Sequence, residues 1–186
     1  MRCFLAVDIP VEIKQSIERA AVRARKLGVR ATFVAPEQIH VTLAFFGEIG
    51  EKEVEEKKRI LAAECASASA FKVKIRGIDF LPDVGKSPRV FYAVVFSPEL
   101  IELQAKLAAA LHYDEGRSFH SHATIARFKQ SVYRESLKQL VEEFEREEFG
   151  EFTASEIVLK KSVLGADGAT HTVIARFPLK GSASAT

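Results

Sequence analysis

His40-Val41-Thr42-Leu43 returns later in the chain as His122-Ala123-Thr124-Ile125. Both stretches lie in runs with the composition of β-strands. On a strand, successive side chains point to opposite faces, so a histidine and a threonine two positions apart share one face. Val41 and Leu43 then point the other way into apolar packing, as do Ala123 and Ile125. Each stretch offers an imidazole beside a hydroxyl. A single histidine on a half-buried strand is more often packed than reactive; two such strands raise the question of whether they meet.

The flanking segments repeat as well. In the first half, Phe4-Leu5-Ala6-Val7 reads as a buried strand and Pro10 opens a helix over residues 11–27. Its apolar positions Ile13, Ile17, Ala20, Ala21 and Ala24 recur at helical spacing, and Gly28 follows as a C-cap. A short strand at Thr32-Phe33-Val34 and a turn at Ala35-Pro36-Glu37-Gln38 lead to the first motif strand, residues 39–46, ended by Gly47. In the second half, the strand Phe91-Tyr92-Ala93-Val94-Val95 precedes a helix opened by Pro98 and striped with Leu100, Leu103, Leu107 and Leu111. A polar link then leads to the second motif strand, residues 122–128. Between the halves the pattern gives a charged helix over 51–66, an alternating strand over 71–75 and a loop over 81–88. After them come a helix over 131–144 and two closing strands, 152–164 and 172–179, joined through Gly165-Ala166-Asp167-Gly168.

Strand, proline, helix, His-x-Thr strand, occurring twice, is an internal duplication. It predicts an α+β fold: two pseudo-symmetric lobes, each an antiparallel β-sheet flanked by outer helices, with the motif strands facing each other across a central cleft. Residues 1–180 are expected to form one bilobal domain and 181–186 a flexible tail.

The composition fits this reading. With 186 residues, 47% hydrophobic and 28% charged, the chain can bury a core. A net charge of +2 admits an anionic ligand without implying a broad nucleic-acid footprint. Cys3 and Cys65 read as reduced, packed thiols, which suits a cytoplasmic protein, and no apolar run reaches the length of a signal peptide or membrane span. The cations on helix 11–27 could touch an RNA backbone, although a solvated helix face looks the same. The acidic stretch 142–151 reads as solvated surface, and His171 as a solvated turn residue. His112, His120 and His122, with Asp114 nearby, do not complete a metal site, and His120 is expected to pack near His122.

Three stretches carry a resemblance: Pro36-Glu37-Gln38-Ile39-His40-Val41-Thr42-Leu43-Ala44-Phe45-Phe46-Gly47, Phe119-His120-Ser121-His122-Ala123-Thr124-Ile125-Ala126-Arg127, and the C-terminal Ser162, Gly168 and Phe177-Pro178-Leu179. Together they resemble the 2H phosphoesterase superfamily, and within it the RNA 2',3'-cyclic phosphodiesterases, also called 2'-5' RNA ligases. The resemblance spans nearly the whole chain. Two departures stand out. The family often has proline before the second motif histidine, where this chain has Ser121. It often has an aromatic residue in the last hairpin, near His171-Thr172 here.

The resemblance implies hydrolysis of RNA or nucleoside 2',3'-cyclic phosphate ends to a 2'-phosphate, with no metal and no cofactor. Opening the ring needs a proton taken from water and one given to the departing ribose oxygen, and two imidazoles meet both needs near neutral pH. His40 as general acid and His122 as general base follow the family; the sequence leaves the reverse assignment open. Thr42 and Thr124 can donate to the non-bridging phosphate oxygens, and Arg127 adds a guanidinium suited to phosphate. The resemblance implies that Phe45 and Arg127 border the terminal base and phosphate. Strict alternation puts both on the wrong face, so this needs a β-bulge, with Phe46 as the geometric fallback. The implied partners are RNAs with cyclic phosphate ends, such as tRNA halves, or cyclic nucleotides, met by a monomer away from membranes. The alternatives are 2'-5' ligation by the same pair, action on another small cyclic phosphate, and a nucleotide- or RNA-end-binding module without turnover.

Overall fold

Strand β1 (Arg2–Asp8) buries all of its central residues, Cys3 to Val7. A strand that is apolar on both faces needs cover on both. Cys3, Leu5 and Val7 enter the main hydrophobic core, while Phe4 and Ala6 form a separate small cluster with Val158 on the opposite face. That second face carries the candidate site. The computed structural model describes residues 1–82, 87–116, 118–129, 134–165 and 168–181.

After β1 come α1 (Val11–Lys26), β2 (Thr32–Phe33), a single 3₁₀ turn (Pro36–Gln38), β3 (His40–Glu48) and α2 (Glu51–Ser67). There follow β4 (Phe71–Leu81), β5 (Val90–Phe96), α3 (Pro98–Ala110), β6 (His122–Arg127) and α4 (Arg134–Phe144). The last three strands are β7 (Glu148–Ala154), β8 (Glu156–Gly165) and β9 (Gly168–Pro178). The strands join in the order β7-β4-β5-β6-β3-β1-β8-β9, with β2 added beside β6, and the pairings are antiparallel.

That order reads alike from either end. Each half places its His-x-Thr strand innermost, then its own first strand, then two more. The two lobe sheets are therefore one sheet, joined where Val41 of β3 pairs with Ala123 of β6. The helices bridge the halves: α1 packs on α4, β7 and β6 as well as on the 3₁₀ turn of its own half, and α3 packs on α2 and β3 as well as on β4 of its own half. All five apolar positions expected on α1 are buried. Gly150 of β7 makes the α1 contact possible, because a Cβ there would lie 2.8 Å from Ile13 Cγ1 and its φ is +149°. Gln104 Nε2 of α3 donates to the Leu43 carbonyl at 3.2 Å.

The segment expected as one strand over 152–164 is two strands on opposite flanks of the sheet, β7 beside β4 and β8 beside β1. Only Ser155 separates them, so the sheet must curl until its flanks approach. The Leu179 N–H to Ser155 carbonyl bond, at 2.8 Å, and the Ala70 N–H to Lys180 carbonyl bond, at 2.9 Å, fasten that closure. The first motif strand runs through Gly47 at φ +68° rather than stopping there. The acidic stretch and the α1 cations engage each other, through Arg19–Glu147 and Arg23–Glu143. Cys3 and Cys65 are free, buried thiols, and burial pushes both above the ordinary range, Cys65 to about 11. Residues 131–133 of the expected helix 131–144, residues 83–86 of the expected 81–88 loop, residues 166–167 of the expected closing turn and the tail 182–186 lie outside the described residues.

Candidate active site

The Val41–Ala123 pairing fixes the geometry. In an antiparallel ladder it sets His40 across from Thr124 and Thr42 across from His122, all on one face. The two histidines are then diagonal neighbours, with Cβ atoms about 7–8 Å apart by strand geometry.

Both rings are oriented the same way. His40 Nδ1 lies 2.6 Å from the Gln38 carbonyl and His122 Nδ1 lies 2.7 Å from the His120 carbonyl. A ring nitrogen facing a carbonyl must carry the proton, which makes Nε2 the working nitrogen in each neutral ring. The Thr42 hydroxyl donates to His40 Nε2 at 3.0 Å.

The offset-of-five problem is resolved by a bulge in each strand. Ala6 pairs with Thr42 but Leu5 pairs with Ala44, and Tyr92 pairs with Thr124 but Phe91 pairs with Ala126. Leu43 and Ile125 are the extra residues, and each is followed by a second buried residue. Parity flips, and Phe45 and Arg127 emerge on the face of the histidines, paired with Phe4 and Val90. Phe45 is 41% exposed, with the Arg2 guanidinium 5.1 Å from its ring centroid. Phe46 packs instead against Tyr113 and beneath the Lys57 ammonium, so the fallback is not used.

The rest of the site comes from residues with no motif of their own. Phe4 lies 4.9 Å from the His40 ring and 4.8 Å from the His171 ring, and His171 meets His40 edge-on at 5.1 Å. His171 is thus neither solvated nor in a turn. It sits in β9 across from Ser162, half-buried, with its main-chain N–H bonded to Gln38 Oε1 at 3.0 Å. The expectation failed because β9 begins at Gly168, earlier than placed. Beside these rings the mostly buried Lys160 pairs with Asp8, itself across from His40. Burial pushes the His40 imidazole down from 6.5 to about 4; the Gln38 carbonyl opposes this, His171 and Lys160 add to it, and Asp8 opposes it. His171 is also lowered, by burial and then by Lys160.

Around His122 the setting is polar. Tyr92 meets its ring at 5.4 Å, and His120 hydrogen-bonds the Tyr92 hydroxyl at 3.0 Å. Burial, with Asp79 adding to it, raises the Tyr92 phenol to about 12, so it stays protonated. Ser121, standing where the family often has proline, is buried and donates to the Val95 carbonyl at 2.9 Å. No group of three or more His, Cys, Asp or Glu side chains able to hold a metal ion occurs among the described residues. No helix among them is long and apolar enough to cross a membrane.

The comparisons agree with this architecture. The chain is 31% identical to a Methanocaldococcus jannaschii protein named RNA 2',3'-cyclic phosphodiesterase, over 94% of this chain and 98% of that one. An Aquifex aeolicus protein of the same name is 33% identical, over 90% and 93%. The crystal structure of TT0787 of Thermus thermophilus superposes with a TM-score of 0.82 at 27% identity, covering 98% of this chain and 100% of that one. E. coli LigT complexed with 3'-AMP shares the fold, with a TM-score of 0.74 at 20% identity over 96% and 98%. A family model described as the 2'-5' RNA ligase superfamily matches residues 9–165, and with that match over most of its length the chain belongs to this superfamily.

Proposed function

We propose that this protein is an RNA 2',3'-cyclic phosphodiesterase that hydrolyses cyclic phosphate ends to 2'-phosphates with a histidine pair and no metal. The observation that carries the reading is the Val41–Ala123 register, which sets two imidazoles with matched Nδ1 anchors on one face. The names of the relatives supply the substrate class.

In the reaction, water attacks phosphorus as its proton passes to His122 Nε2. The P–O3' bond breaks as the 3' oxygen takes a proton from His40 Nε2. Burial holds His40 neutral in the empty site. The anionic diester, held between the rings, favours the imidazolium, so the acid is charged as substrate binds. The Thr42 hydroxyl then turns from His40 Nε2 to a non-bridging oxygen, matched by Thr124 from the facing strand. Arg127 and Phe45 border the terminal phosphate and base. The pair is complete within one chain, so the protein works as a monomer, on RNA ends such as tRNA halves in the cytoplasm.

Turnover of nucleoside 2',3'-cyclic phosphates and of RNA ends, with product analysis, tests the reading. The expected product is a 2'-phosphate, formed at the same rate with and without chelator. Wild-type turnover by His40→Ala or His122→Ala, or loss of activity with chelator, overturns it. RNA joined by a 2'-5' bond in place of hydrolysis would redirect it to ligation.

A further inference from the structure

The rings of Phe4, His40 and His171 form a closed triangle, every pair within 5.1 Å. His171 comes from β9, at the far flank of the sheet from the junction of the two motif strands, and reaches His40 because the sheet curls. Gln38 ties the two together: its main-chain carbonyl accepts from His40 Nδ1–H, and its side-chain oxygen accepts from the His171 main-chain N–H. His171 Nδ1 is itself buried, with no hydrogen-bond partner among the described residues. A ring kept in place with an unsatisfied nitrogen costs stability. In the duplicated half the rings against His122 differ in origin: Tyr92 and His120 come from the adjoining strand and from its own upstream link.

We propose that His171 is a positioning residue for His40: its ring closes the first half of the site over the His40 imidazole, holding it dry and fixed against the Gln38 carbonyl. The proposal rests on His40 being a proton carrier in the reaction above, but its structural part stands apart from that reaction. The charged and titratable groups facing His40 are Asp8 on β1, Lys160 on β8 and His171 on β9, with His122 diagonal on β6. Taking away His171 removes cover, the leading cause of the His40 shift, and with it the smaller effect of a neighbouring imidazole; the loss of cover favours protonated His40.

The test is an NMR titration of the His40 ring in the full-length, substrate-free protein. In His171→Ala the midpoint is expected to climb from about 4 toward 6.5, by about one pH unit or more. In His171→Phe, which keeps the cover, it is expected to stay near the wild-type value. His171→Ser carries the same expectation as alanine if the alanine variant is not recovered folded. An unmoved midpoint in the small variants overturns the proposal. So does a phenylalanine variant that titrates like alanine, since the imidazole and not its cover would then be at work. The pH profile of turnover in His171→Ala adds a second readout. Displacement of one limb toward higher pH is expected, and the limb that moves assigns His40 its role. Two unmoved limbs overturn the mechanistic part. The titration reads the His171–His40 link even in a protein that fails to turn over cyclic phosphates, so failure of the proposed function and failure of this inference are separable.

Discussion

The two half-sites are built on one plan and furnished differently. Where β1 sets Ala6 across from Thr42, β5 sets Tyr92 across from Thr124. Where β1 sets Asp8 across from His40, β5 sets Val94 across from His122. The His-x-Thr row and the bulge after it are alike on the two sides. The surroundings are not: phenyl, imidazole and a half-buried ion pair around His40, hydroxyl and imidazole around His122. An acid–base pair needs two chemically identical groups to hold different protonation states; on the proposed mechanism burial keeps His40 neutral until the anionic diester binds and favours its imidazolium. The repeated plan supplies the pair, and the differing neighbouring strands give its members different surroundings.

The largest effect that could break this comparison is catalytic. His40→Ala and His122→Ala are each expected to lower turnover at least ~100-fold, and the double variant to be little worse than either, because the pair acts as a unit. Losses that multiply in steady-state kinetics would mean that the halves work independently. The next effect concerns stability. An unfolded histidine titrates near 6.5, and folded His40 near 4. Between those values the unfolded chain binds the extra proton, so stability falls as pH drops through this window and levels off below it. Discounted for the residual exposure of the side chain, the loss is about 2 kcal/mol, read from urea melts at the two ends of the window. In His40→Asn this contribution should disappear; an unchanged slope would deny that His40 is dry. Thr42→Val and Thr124→Val should each cost roughly 10-fold in turnover, the worth of one hydrogen bond to a charged oxygen. A strong inequality between them would show the phosphate leaning toward one strand. The smallest effect is Tyr92→Phe. It removes the hydroxyl bonded to His120 and should cost about 1 kcal/mol in a thermal melt while leaving the acid slope of His40 intact.

Much of this was legible in the residues. The repeated motif with its flanking strand and proline marked out the two halves, and the α1 stripe at Ile13, Ile17, Ala20, Ala21 and Ala24 is buried as spaced. Even the bulges left a trace: Leu43-Ala44 and Ile125-Ala126 are consecutive apolar residues where alternation calls for one. The break at Ser155 left none, since no glycine or proline interrupts the run it divides. The companions of His40 were hidden for another reason. Phe4, Asp8, Lys160 and His171 come from three strands, β1, β8 and β9. No local pattern encodes a neighbourhood that exists only once the sheet has curled.

The bridging of the two halves by α1 and α3 has a consequence for how the protein is made. α1 lies over α4, β6 and β7 of the other half, and α3 ties α2 and β3 to β4, so the two halves share their helical cover. Cutting the chain between α2 and β4 parts β1 and β3 from β8 and β9 as well as from β6, and should yield fragments that are unstructured apart and regain their shape when mixed. The same interlock means that neither imidazole can be set in place before its opposite number: the chemistry and the last of the core arrive together.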